Sequence, residues 1–162
     1  MKTPRGLIVL SVFSLINSGF SLLSTLGSLI IGKPDEGTLK EADLELKKEV
    51  IELKKLQLDY AAELLEKFNQ MNEAFMDAYY AYHTVLFLVF SLGVAGVILM
   101  LKRNKLGFHL YISYSILGIG HLYLFASPSI IPTPLIVISL LFSGLFIFLY
   151  SRFLPWMNLE EA

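Results

Sequence analysis

Apolar residues fall into four long, nearly unbroken runs, at 6–31, 84–101, 106–126 and 132–153. A helix needs about 20 apolar residues to cross a hydrocarbon core roughly 30 Å thick. No Asp, Glu, Lys or Arg enters any run before Arg152, at the end of the last. The pattern predicts four transmembrane helices. A hydrophobic share of 55% and a mean hydropathy of +0.63 agree with it.

Between the first and second runs the pattern changes to a helical period. From Thr38 to Leu92 there is no Gly and no Pro. Apolar side chains recur in threes and fours at Leu39, Ala42, Leu46, Val50, Leu53, Tyr60, Leu64, Phe68, Met71, Phe75, Ala78 and Tyr82, with only Gln57 breaking the series. Such spacing marks an amphipathic helix in phase with the second span. Leu44, Ile51, Leu58 and Leu65 widen its apolar face. Thr38 with Glu41 reads as a capping box at its start. A straight helix over 38–83 would run about 65–70 Å, whereas the six or so residues linking it to the first span reach only about 20 Å. The helix must therefore tilt and bend, or fold back as a hairpin. Because the apolar phase never resets, the expectation is a bent helix, with Asn69-Gln70-Met71-Asn72 as the bend. A hairpin would break near Gln57–Asp59.

Charge sets the orientation. Lys102, Arg103 and Lys105 occupy the short connection after the second span, while residues 127–131 after the third carry no charge. Lys2, Arg5 and Arg152 fall on the same side when all four helices cross. Basic residues in short loops mark the cytoplasmic face, so both termini are expected inside and 32–83 outside. The first run is about twice the length of a signal-peptide core and no Ala-x-Ala site follows it, so it is read as a retained span. Tyr79, Tyr80, Tyr82, Tyr123, Tyr150 and Trp156 lie at span ends, where aromatic belts form. Three regions result: 1–31, the first span; 32–83, the outer helical segment; and 84–162, three spans and a short cytoplasmic tail.

Composition removes several classes of function. A net charge of -1 gives no basis for nucleic-acid binding. Without cysteine there is no disulfide, thiol nucleophile, CxxC centre or thiolate metal site. No acid lies inside a span, which argues against proton-coupled transport through a carboxylate. No nucleophile–base pair is evident within a span, so an enzyme is not expected.

What remains is surface. The outer segment carries 12 acidic against 7 basic residues, which suits protein contact better than anionic lipid. Leu46, Val50, Leu53, Tyr60 and Leu64 are the candidate contact residues, in a coiled-coil-like seam with another membrane protein or a second copy. Ser11, Ser14, Ser18 and Ser21 form a stripe on the first span, joined by Thr25 and Ser28. Such stripes allow close helix contact; packing within the bundle and a face for a partner both fit it. Asn17 is expected to make an interhelical hydrogen bond. Phe87, Phe90, Phe125 and Phe142 could line a groove for a lipid or small apolar molecule. His83 and His121 could approach at similar depth, as a haem or metal pair, but no third ligand is evident and no cofactor is implied.

The opening Thr3-Pro4-Arg5-Gly6-Leu7-Ile8-Val9-Leu10-Ser11, and Lys105-Leu106-Gly107-Phe108-His109-Leu110-Tyr111-Ile112 at the third span, resemble uncharacterised small multi-spanning bacterial membrane proteins of Bacteroidota type. That resemblance implies an inner-membrane location and a four-helix fold, with no activity attached. The expected fold is all-α: four transmembrane helices, with one long extracytoplasmic amphipathic helix continuing into the second span. The expected role is a non-enzymatic accessory subunit of a membrane or envelope complex, in contact with membrane lipid and with another membrane protein or its own copy.

Overall fold

The computed structural model describes residues 2–157; the remainder of the expected cytoplasmic tail lies outside them. Helices α1 (Arg5–Ile31), α2 (Glu36–Lys55), α3 (Asp59–Asp77), α4 (Tyr79–Leu101), α5 (Leu106–Gly120), α6 (Leu122–Phe125), α7 (Thr133–Ser151) and α8 (Leu154–Met157) follow one another, with no strand among the described residues. Four segments are long and apolar enough to cross a membrane: α1, α4, α5 with α6, and α7. These are the four runs read from the sequence.

Segment 32–83 departs from expectation. It is not one bent helix but a hairpin, α2 against α3. Gln57 takes a left-handed φ of 59°, its N–H bonds to the Lys54 carbonyl, and the Leu58 N–H reaches back to Leu53 at 2.9 Å. That pair of bonds is a Schellman stop, usually built on glycine. Arg103, with φ 62°, ends α4 in the same way. The start also differs: Asp35, not Thr38, caps α2, accepting the Thr38 N–H at 3.0 Å and its hydroxyl at 2.8 Å. The Asn69-Gln70-Met71-Asn72 patch stays helical throughout.

Leu39, Asp43, Leu46, Val50 and Leu53 are the sheltered residues of α2, and they form its side of the seam. On α3, buried Ala62 belongs to the seam. Asn69 donates its side-chain N–H to Asp43 at 3.1 Å, and Lys54 pairs with Glu66 at 2.7 Å. A second α3 face, through Met71 and Phe75, packs on Leu122, Ala126 and Ile131 around the α6–α7 connection. The hairpin is thereby seated on the end of the bundle.

Within the bundle α1 packs along α4, and α4 along α5. The α4–α5 pair meets backbone to backbone: a Cβ on Gly107 would strike the Gly96 carbonyl and come within 2.5 Å of the Met100 nitrogen. Helix α7 is attached differently. A core of Leu7, Val97, Met100, Phe108, Tyr111, Tyr150 and Met157 closes the bundle at its terminal end, and the Met71–Ile131 cluster closes the hairpin end. Between Pro132 and Tyr150 no residue of α7 is fully buried.

Two predictions follow from this packing. Gly107→Ala should destabilise the detergent-solubilised protein by about 1–3 kcal/mol, as overpacking at rigid contacts does. Gly120→Ala, where a Cβ meets nothing within 4 Å, should be neutral; equal melting temperatures for the two variants would contradict the close α4–α5 contact. The second concerns pH. Bonds from Thr38 hold the Asp35 carboxyl below its ordinary 3.8, and Lys47, then Asn69, do the same for Asp43. Lowered carboxyl values stabilise the fold fully above pH 3.8 and lose that effect as pH falls through them. Amide exchange in α2 should therefore be steady from pH 7 to 5, after correction for intrinsic rates, and rise relative to α4 below about pH 4.

Candidate functional site

The structure separates the sequence-derived candidates into three groups. Leu46, Val50 and Leu53 lie in the α2–α3 seam, with Val50 buried, and so are occupied within the chain. Tyr60 and Leu64 lie on the other α3 face. That face follows Tyr60, Leu64, Phe68, Met71 and Phe75. Exposure is 7% at Phe75 and 8% at Met71, 41% at Phe68 and 66% at Tyr60, with Leu64 half-buried between the last two. The lower half is covered by the α6–α7 connection; in the upper half Phe68 and Tyr60 are left exposed. Leu56 and Leu58 at the hairpin turn, and Leu44 and Ile51 on α2, are exposed as well.

The serine stripe faces inward. Ser11, Ser14, Ser18 and Thr25 are buried, and Ser21 is half-buried. Ser18 donates to the Ser14 carbonyl at 2.7 Å, and Thr25 to that of Ser21 at 2.8 Å. The Tyr150 hydroxyl donates to Ser14 Oγ at 2.9 Å, while the Tyr111 hydroxyl lies 3.4 Å from the same oxygen. One hydroxyl thus joins α1, α5 and α7. Further along, Tyr79 donates to the Ser28 carbonyl at 2.9 Å. The stripe is buried against the other helices, with the Ser14 hydroxyl bonded across the contact, those of Ser18 and Thr25 turned back to their own helix, and the Ser11 Oγ without a partner among the described residues. A partner-facing role for Ser11, Ser14 and Ser18 is not what the fold gives.

Histidines 83 and 121 both touch Tyr82, with ring centroids 5.2 Å and 5.8 Å from it. His83 donates its Nδ1–H to the Tyr79 carbonyl at 2.8 Å. Among the described residues no three His, Asp or Glu side chains come together as a metal site. The buried Nδ1 of His121 has no hydrogen-bond partner of good geometry among the described residues.

Of the four phenylalanines expected to line a groove, Phe90 and Phe142 come together and Phe125 goes to the Tyr82 cluster. The open side of α7 leaves two adjoining clefts. One, about 380 Å³, lies between α1, α5 and α7, and includes Ser14, Asn17, Tyr114 and Ser115. The other, about 260 Å³, lies between α4, α5 and α7, and includes His121, Tyr114, Ser115, Ser139 and Ser143. Asn17 donates to the Tyr114 hydroxyl at 3.3 Å, the interhelical bond expected of it. Tyr111 and Tyr114 were not singled out in the sequence, although tyrosine in mid-span, away from the belts, is a usable signal.

The Ser14–Tyr150 bond can be measured. Tyr150→Phe and Ser14→Ala should each lower stability by about 1 kcal/mol. Both remove one bond, so the double variant should lose less than the sum. Strict additivity in a thermal or denaturant series would show that the bond contributes nothing.

No family model, no curated protein and no solved structure matches the chain, so its functional reading rests on its own geometry.

Proposed function

We propose that the chain is a non-enzymatic accessory subunit of the bacterial inner membrane. Its termini lie in the cytoplasm, and the α2–α3 hairpin stands on the outer side as a docking arm for a second membrane protein. The supporting observation is the apolar face of α3, which continues past its own cover. Met71 and Phe75 rest on the α6–α7 connection, and the same face continues through exposed Phe68, half-buried Leu64 and exposed Tyr60.

The position of that face suggests the partner. Ile131, Leu135 and Ile136, which pack under α3, lead directly into α7. Helix α7 exposes Val137, Ile138, Leu141, Leu145 and Phe148 along the apolar region. A partner with one transmembrane helix against α7, and an amphipathic helix just outside the bilayer, would cover both surfaces. Helix-in-groove contacts of this kind are anchored by residues spaced three and four apart. The acidic excess of the segment favours a partner helix with basic flanks over an anionic lipid surface.

Tyr60→Asp combined with Phe68→Asp should remove the partner from a gentle detergent purification while leaving insertion and melting temperature unchanged. These two side chains are chosen because Leu53 and Leu64 are more sheltered, and changing them would also disturb the hairpin. A partner that stays bound in stoichiometric amount to the double variant would sink this reading. A homodimer that dissolves would identify the partner as a second copy.

A further inference from the structure

The two clefts beside α7 contain polar groups that no described residue satisfies. Ser18, Thr25, Ser91 and Ser113 return their hydroxyls to a carbonyl one turn back. Ser115, Ser139 and Ser143 form no such bond among the described residues, and all three line the α4–α5–α7 cleft. The Tyr114 hydroxyl accepts from Asn17 and has its own hydrogen left to donate. His121 is 8% exposed, lines the same cleft and has a buried ring nitrogen without a partner. The ring also lies near the Leu117 and Gly118 backbone, one turn back. Even if it turned to one of them, the other ring nitrogen would remain a free acceptor.

In a bilayer these groups cannot rely on bulk water, and an unsatisfied intramembrane polar group marks a site of function. The chemistry of the clefts narrows the ligand. No Lys, Arg, Asp or Glu lines either one, so the ligand is uncharged. Donors (Tyr114 and the serines) and an acceptor (His121) are both present, so its head carries both functions. Phe90, Tyr114 and Phe142 supply aromatic walls, which suit a flat ring. The clefts share Tyr114, Ser115, Phe142 and Ser143. Volumes of about 380 and 260 Å³ fall at the small end of ligand sites. Access is lateral, past the unburied middle of α7. We propose that this wedge binds an uncharged lipid with a hydroxyl-bearing ring head, the chemistry of a membrane quinol, and that His121 accepts the head-group hydrogen bond.

The test uses the full chain in neutral-lipid nanodiscs with ¹⁵N-labelled histidine. A short-chain alkyl benzoquinol is titrated in under reducing conditions, and dioctanoylglycerol in a parallel sample. The benzoquinol should shift the His121 ring signals saturably and leave His83 and His109 in place. Ser143→Leu, which fills the cleft, should abolish the shift without moving the other two histidines. An equal response to dioctanoylglycerol would overturn the ring-specific part, and no response to either would overturn the site. If Ser143→Leu does not fold, a diazirine-bearing benzoquinol on the unaltered protein decides the matter. Labelling of α5 and α7 supports the site. Labelling confined to the outer face of α1, at Val9, Ile16 and Leu23, overturns it.

Discussion

Small hydroxyl-bearing residues in hydrocarbon favour contact with other helices over contact with lipid, and that preference organises the candidate spans. Helix α1 has a face of Ser and Thr and a face of Val, Ile, Leu and Phe. Burying the first turns the second outward, which is why Val9, Phe13, Ile16 and Phe20 are exposed while Ser11, Ser14 and Ser18 are not. Ser14 then fixes where α5 and α7 come in, since the Tyr111 and Tyr150 hydroxyls both approach its oxygen. The glycines complete the arrangement. Gly96 and Gly107 bring α4 and α5 into backbone contact, so Tyr111 and Tyr114 stand at the depth of Ser14 and Asn17.

The same bundle is closed unevenly. Its terminal end has a dense core from α1, α4, α5, α7 and α8, and its hairpin end is capped by Met71 and Phe75. Helix α7 is held at these two points and stands off in between. The hairpin is held to the bundle through one α3 face and to α2 through another, leaving the upper part of the first face free.

The spans were legible because length and the absence of charge are sufficient to define them. The hairpin was not. A reversal normally announces itself with Gly or Pro, and here a Gln occupies the left-handed position at residue 57. The apolar series also continues across the turn, since Leu53 and Tyr60 stand seven apart, as on one helix. In the fold, however, its two halves serve different contacts: the α2 half faces α3, and the α3 half faces the α6–α7 connection. The real seam on α3 runs through Ala62, Glu66 and Asn69, and two of these are polar, so hydrophobic periodicity could not show it. Among candidate residues, Tyr60 is exposed and Leu64 half-buried on α3, while Leu46, Val50 and Leu53 are taken by the hairpin. Of the two readings open for the serine stripe, the fold takes internal packing.

The bond between Ser14 and Tyr150 also bears on how the protein is made. Its two partners are separated by 136 positions, one on α1 and the other on α7. Until α7 is in place, Ser14 lacks the hydrogen bond it receives from Tyr150. The newly inserted helices must therefore remain associated loosely enough to admit a latecomer. The bond is thus a latch that closes only once α7 has joined α1, across helices far apart in sequence.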